Sequence, residues 1–416
     1  MPAAAAAPRL IRVEDARRIV LQQAAPLGVE RVALTASLGR VLAQDLVAET
    51  DLPPFDNSAM DGYALRAPDT AEAADDRPAK LELVGEVAAG HVLDRRLCRG
   101  EAVKIMTGAP LPPGADSVVM LEQARLRDGR VELRSPVAPG SHIRKAGEDI
   151  AAGETALRAG TRIRLQHLGL LAGLGCATLP VCRLPSVALL ATGSELVNID
   201  EPLARGKIRN SNSLVLSALV RRLGIQPNDL GSVMDERALI QRKLEEAAAS
   251  DVILISGGVS VGEHDLVKGV LRDLGMETLF WRVNMKPGKP LLFGRWRSAA
   301  VFGLPGNPIS CVAGFAAFIL PFLRSVMGER DPDAGRMHAR LIRPIRTQDP
   351  RTQFLTAWLA EEQGALSVAP TPQQGSGMLT SLAQANAFIV VPEATRQLDA
   401  GAVVEVEPFG GDAWRS

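Results

Sequence analysis

Soft-metal chemistry has little foothold in this sequence. Its four cysteines, Cys98, Cys176, Cys182 and Cys311, include no CxxC pair, and its five histidines follow no HxxxH pattern. That argues against a zinc or iron–sulfur site. Charge of one sign is missing too: 47 basic residues balance 47 acidic ones, so no global field draws nucleic acid. No signal-peptide pattern and no apolar run long enough to cross a bilayer stands out, and the chain reads as a cytoplasmic protein with reduced thiols and no membrane partner. No serine, histidine and acid combination suggests covalent catalysis, and His264 beside Asp265 lacks a recognisable nucleophile. The alanine-rich start, Pro2 to Pro8, reads as a frayed end.

What remains is a core-forming chain. Hydrophobic residues make up 46% and charged ones 23% of it, as in globular proteins. Its 416 residues exceed the ~250 at which one core stops growing, so several domains are expected. Val13, Ala16, Val20, Ala24 and Leu27 recur at helical spacing up to Gly28. From Thr50 to Lys145, short alternating strands are broken by turns such as AAGHV and GAPLPPGAD, the texture of a β-rich insert. Helical spacing returns through Leu165, Leu168, Leu171 and Leu174. From Pro185 to about Gly328 apolar strands alternate with amphipathic helices, the pattern of parallel βαβ units. Alternating strands after Asp331 suggest a small β-barrel. The expected organisation is a discontinuous helical linker region at 8–47 and 147–184, a β-rich insert at 48–146, a doubly wound, mostly parallel α/β domain at 185–332, and a C-terminal barrel at 333–416.

Polar loops concentrate at the expected strand ends. In ILISGGVSVGEHD, Ile253 to Asp265, a strand buried on both faces gives way to Gly257, Gly258 and Gly262, which let backbone approach a ligand. A helix beyond Asp265 would turn its amides towards a pyrophosphate, with Glu263 or Asp265 serving a divalent cation. ATGSE with Glu195, SVMDERA with Asp235, and GLPGNPIS with Pro305 and Pro308 belong to the same α/β region. Loops at the carboxyl ends of strands share one crevice in such sheets. Helix capping explains Asp235 and Asp265 about as well as ligation does, and Asn307 also suits a cap. Lys286 and Lys289 are stiffened by Pro287, Gly288 and Pro290, and like charges so close repel unless an anion lies between them.

The insert carries polar groups of its own. LPPFDNSAMDGYA gathers Asp56, Asn57, Ser58, Asp61 and the only tyrosine, Tyr63, as self-satisfied turns or as a site with equal weight. Thr107, in KIMTGAP, suits a cap or an anion contact. Arg144 and Lys145 precede Glu148 and Asp149, the usual mark of a local solvated pair. The residues alone support an anion and divalent-metal site for a phosphorylated small molecule.

Taken in order, FDNSAMDGYA, IMTGAP, RKAGEDI, TGSELV, SGGVSVGEHD, KPGKP and GLPGNP, followed by QQGSGM and VEVEPF, resemble the motif set of the molybdopterin molybdenumtransferases, the MoeA and gephyrin E-domain family. The resemblance implies an elongated homodimer whose cleft is shared between the α/β domain of one subunit and the Asp61-bearing insert of the other. It also implies an enzyme that takes adenylylated molybdopterin and molybdate, releases AMP with a divalent cation, usually Mg²⁺, and leaves molybdenum on the pterin dithiolene. By motif matching, Asp61, Thr107, Arg144, Asp149, Glu195, Asp235, Asp265, Lys286, Lys289, Pro305, Pro308 and Ser376 fall at functional positions, with Gly257, Gly258, Ser260 and Gly262 as the substrate loop. The resemblance assigns Glu195, Asp235 and Asp265 to the cation, Lys286, Lys289 and Ser376 to molybdate, and Asp61 and Asp149 to the cross-subunit wall.

Two other readings differ in domain content or motifs. A molybdopterin adenylyltransferase would consist of the α/β unit alone, and a scaffold retaining only the fold would have lost the acidic or lysine motifs. The sequence departs from the family pattern at three places. Ser194 replaces a carboxylate in ATGSEL, Asn210 is neutral in KIRNSN, and PRTQFLT keeps Arg351 but puts Thr356 where relatives often carry a second arginine. The last departure implies a weaker molybdate site.

Overall fold

The structure, a computed structural model, describes residues 10–259, 266–333, 335–362 and 364–409. Ser260, Gly262, Glu263 and Asp265 therefore lie outside the described residues.

The first helix, Val13–Gln22, buries Val13, Ala16 and Val20, the stripe its spacing predicts. It ends before Ala24 and Leu27, which continue the pattern as a loop packed against the same core. Strand Val29–Ala33 pairs antiparallel with Thr178–Cys182, and Leu46–Val47 pairs with Thr155–Leu157. These pairings zip together two distant stretches of chain. The second helical stretch is shorter than its leucine spacing suggests, spanning Leu165–Gly173 before the chain turns into a strand.

Between those stretches lies a six-stranded sheet built from strands between Gly62 and Leu133. Successive side chains of a strand face opposite sides. Accordingly, Tyr63 and Leu65 pack with Leu81 and Val119 on one face, while Ala64 packs with Val87 and Val103 on the other.

The α/β domain carries a second six-stranded sheet, in the order Asn228–Val233, Val187–Thr192, Val252–Ser256, Ala299–Leu304, Leu292–Trp296, Glu277–Trp281. Its first four strands run parallel and its last two pairings are antiparallel. Alternate residues of Val252–Ser256 feed separate cores. Leu254 packs with Phe302, Leu216 and Phe318, whereas Ile253 and Ile255 pack with Ile240, Leu244 and Val267. Helices thus cover both faces, which is why this strand is apolar throughout.

One sequence expectation needs correction here. The continuous helical run Pro308–Val326 spans 19 residues at mean hydropathy 1.8, long and apolar enough to cross a bilayer. It is 83% buried inside the protein and belongs to the core against the sheet. A wide turn at Phe315–Ile319 precedes Pro321, whose ring nitrogen cannot donate to the preceding turn.

The C-terminal unit is a closed barrel. Thr352–Glu362 pairs with Ala365–Pro370, then Met337–Leu341, Val403–Pro408 and Ala387–Val391 follow, and the last pairs back with Thr352–Glu362. Leu341, Leu359, Val368, Ile389 and Val406 fill it. Strand Met285–Lys286 leaves the α/β domain to pair with Thr352 and Gln353 of the barrel.

Candidate functional site

A cavity of about 720 Å³ opens between the carboxyl ends of the parallel strands and the barrel, a size typical of small-molecule sites. Glu195, Gly258, Pro305 and Asn307 line it from the α/β sheet, Lys286 and Lys289 from the turn leading to the barrel, and Arg351, Gln353, Gln374 and Ser376 from the barrel itself. Six sequence-predicted residues, Glu195, Gly258, Lys286, Lys289, Pro305 and Ser376, are thus brought together. Gly257 and Pro308 adjoin the lining residues Gly258 and Asn307 in sequence but do not line the cavity. Pro308 opens the helix that follows, where a missing N–H costs nothing.

Packing also accounts for the two described glycines of this loop. A Cβ on Gly257 would fall 2.2 Å from Thr192 O, and one on Gly258 would fall 2.5 Å from Val267 Cγ2. Both adopt left-handed φ, +95° and +65°. Close packing against the end of strand Val187–Thr192 and against helix residue Val267 demands them.

Asp235 is not a helix cap. Helix Arg237–Glu246 starts from Glu236, while Asp235 Oδ2 accepts from Ser194 N at 2.9 Å and its own N–H donates to Ser194 Oγ at 3.1 Å. The serine that stands in for a carboxylate therefore ties the Asp235 loop to the Glu195 loop. Asn210 is the true cap, accepting from Ser213 N at 3.1 Å. Asn307 sits at an N-cap without capping. Its Nδ2 donates instead to Ser376 Oγ at 3.0 Å, and Ile309 N donates to Ser376 O at 3.1 Å, clipping the barrel loop to the sheet.

On the opposite wall the lysines differ. Lys286 Nζ lies 3.3 Å from Asp349 Oδ2, and Arg351 grips the same carboxylate through Nε and Nη2 at 2.8 and 2.6 Å. The Arg351 bonds, aided by Lys286, hold the Asp349 carboxyl well below the usual range. Lys289 has no ion pair among the described residues. The repulsion argument from sequence therefore applies to Lys289 alone, because Asp349 already compensates its neighbour. Cys311, fully buried behind the cavity, donates to Pro305 O at 2.9 Å. Burial pushes its thiol up to about 12, so it is a neutral donor rather than a nucleophile.

Thr356 does not occupy a vacant arginine site on the cavity. It is 1% exposed, and its hydroxyl meets Thr371 Oγ1 at 2.6 Å and Ser381 Oγ at 2.8 Å. Gln374 closes this cluster, donating to Thr356 O and accepting from Thr356 N at 2.9 and 3.1 Å. The sequence reading missed Asp349, Gln353 and Gln374. QQGSGM contained Gln374, but only the pairing of Lys286 with Gln353 reveals the other two.

Asp61, Thr107, Arg144 and Asp149 do not line the cavity. Asp61 Oδ1 accepts from both the N–H and the hydroxyl of Thr107 at 2.7 Å, and the N–H bond chiefly lowers its carboxyl. Thr107 is thus a donor to Asp61, not a cap. Arg144 pairs through its backbone with Asn57. Lys145 reaches Asp56 at 2.7 Å, and only its backbone N–H meets Glu148, which replaces the expected local pair with a long-range one. Arg144 and Asp149 stay exposed. Among the described residues no group of three or more His, Cys, Asp or Glu is placed to hold a metal.

Comparison with known proteins covers most of the chain. Residues 11–175 match the model of the MoeA N-terminal region (domain I and II), 188–325 a probable molybdopterin binding domain, and 338–409 the MoeA C-terminal region (domain IV). Molybdopterin molybdenumtransferase of Bacillus subtilis is 38% identical over 95% of this chain and 93% of its own. That of Haemophilus influenzae is 33% identical over 96% and 99%. The crystal structure of molybdopterin biosynthesis MoeA protein from Pyrococcus horikoshii superposes with a TM-score of 0.83 at 34% identity, covering 96% of this chain and 99% of that one.

Proposed function

The chain belongs to the molybdopterin molybdenumtransferase family of molybdenum cofactor biosynthesis, and from that premise we propose that it releases AMP from adenylylated molybdopterin while molybdate is delivered to the dithiolene. One observation carries this reading. The cavity has an acidic wall at Glu195 and a cationic wall at Lys286, Lys289 and Arg351, which suits a substrate that brings a metal-bound phosphate at one end and an oxyanion at the other.

The donor chemistry of the acidic wall fits Mg²⁺. Glu195, which lines the cavity, and Asp235, which does not, offer hard carboxylate oxygens on loops tied through Ser194, and Mg²⁺ is held by one or two carboxylates while keeping several waters. Asp265, which lies outside the described residues, completes the proposed set. When bound, the cation would neutralise phosphate charge. The chain's own residues do the rest. Lys289 offers an ammonium with no ion pair among the described residues, Gln353 and Ser376 offer neutral polar groups, and Gly258 offers backbone on the cavity wall.

The exposed corner bearing Asp61, Thr107, Arg144 and Asp149 belongs, in this reading, to the cavity of a second subunit. Phe55 and Met60 are 44% and 42% exposed beside it, and Ile208 is 55% exposed on the cavity rim, apolar surface that a homodimer would cover. Four free cysteines accord with a cytoplasmic location.

The test is direct. Purified protein with adenylylated molybdopterin, Mg²⁺ and molybdate should release AMP in proportion to pterin consumed, and no release above a metal-free control would sink the proposal.

A further inference from the structure

We propose that Asn212 is a positioning residue of this cavity, one carboxamide that holds the ends of two parallel strands and so sets the gap between the Gly258 and Gly306 loops. The proposal rests on the reading of the cavity as the molybdopterin site. Asn212 lies in the first turn of helix Ser211–Arg221 and does not itself line the cavity. Its Nδ2 donates to Ser256 Oγ at 2.8 Å and to Gly306 O at 2.7 Å. Ser256 ends the strand that leads to Gly258, and Gly306 follows the strand Ala299–Leu304. A carboxamide nitrogen carries two hydrogens fixed in one plane, so both bonds form together only at a narrow range of strand-end separations.

A second route reinforces the first. Ser256 Oγ lies 3.4 Å from Cys311 Sγ, which donates to Pro305 O. The carbonyls of Pro305 and Gly306 are therefore both held from behind, and both residues face the cavity. Asn212→Asp keeps the side chain's shape but removes both N–H donors. Ser256 can turn its hydroxyl to donate to the new carboxylate, whereas Gly306 O meets a second acceptor and must move away.

The experiment uses the full chain with Asn212→Asp and Ser256→Ala. In the AMP-release assay, KM for adenylylated molybdopterin should rise about tenfold in Asn212→Asp and roughly threefold in Ser256→Ala, the scale of one or two lost hydrogen bonds, with kcat little changed. Amide hydrogen exchange at 257–259 and at Gly306 and Asn307 should quicken while the barrel is unaffected. A lower Tm with unchanged KM and unchanged local exchange would overturn the proposal and leave Asn212 a packing residue. Should Asn212→Asp fail to fold, Ser256→Ala alone decides by the same readouts. If the wild type releases no AMP yet the variants still quicken exchange at both loops, the substrate reading fails and the clamp stands.

Discussion

The cavity and the insert corner hold the two halves of the expected site, and they are built on opposite principles. Around the cavity, side chains are fixed by bonds between loops and between domains: Asp235 to Ser194 within the α/β unit, and Asn307 to Ser376 and Lys286 to Asp349 across to the barrel. At the corner, the Asp61 carboxylate is held by Thr107, a neighbour in the same insert, and Arg144 and Asp149 are exposed. A walled pocket can bind alone, whereas an exposed patch of charges acts only when another surface covers it. Under the proposed homodimer, substrate would be gripped by one subunit and reached by its partner.

Removing Lys289 strikes the walled half hardest. Lys289→Ala should lower the rate of AMP release by about a hundredfold or more, the cost of losing one pre-set charge donor. Lys286→Ala should cost less, because Asp349 already neutralises that ammonium. Equal losses in steady-state assays would erase the distinction between the two lysines.

Mixing tests the comparison itself. Asp61→Ala and Asp235→Ala homodimers should each be nearly inactive. Unfolded and refolded together they should regain roughly a quarter of wild-type activity, since half of random dimers are mixed and one of their two sites is intact. No recovery would mean that corner and cavity do not meet across subunits.

Asp349→Asn sharpens the picture by freeing Lys286 and Arg351. It should destabilise the protein by about 1.5–3 kcal/mol, the range for hydrogen bonds to charged groups, while molybdate titration shows tighter and more salt-sensitive binding. The folded carboxyl is held below its ordinary 3.8, so its contribution is fully present above the unfolded value and fades as pH falls through the folded one. The stability gap between wild type and variant should thus be flat above about pH 5 and narrow below pH 4 in chemical denaturation.

Thr356→Arg gives the smallest expected effect on chemistry. A guanidinium forced into the buried hydroxyl cluster should cost about 1–3 kcal/mol of stability through overpacking and bring no gain in molybdate affinity. Tighter binding would restore Thr356 to the cavity wall.

Much of this site was legible in the sequence, for a physical reason. Glycine and proline strings such as SGGV and GLPGNP mark strand ends, and parallel sheets gather strand ends into one crevice. Glu195, Lys289 and Pro305 could therefore be placed without coordinates. Asp349 could not, because it meets Lys286 only through the pairing of Met285–Lys286 with the barrel, a contact of long sequence separation. Asp235 was ambiguous because a carboxylate before a helix suits both cap and ligand. Its bonds to Ser194 speak against the cap. The Pro308–Val326 run shows the reverse limit, since composition alone does not distinguish a membrane span from a helix sunk in a protein core.

The strand Met285–Lys286 makes the barrel and the α/β sheet share a seam of backbone. If the barrel rocks on that seam, Lys286 and Arg351 ride with it while Glu195, Asp235 and the Ser376 loop clipped to Asn307 stay with the sheet. The two poles of the cleft would part or close like a vice with one jaw fixed, and the same stroke would set the distance between its acidic and cationic walls.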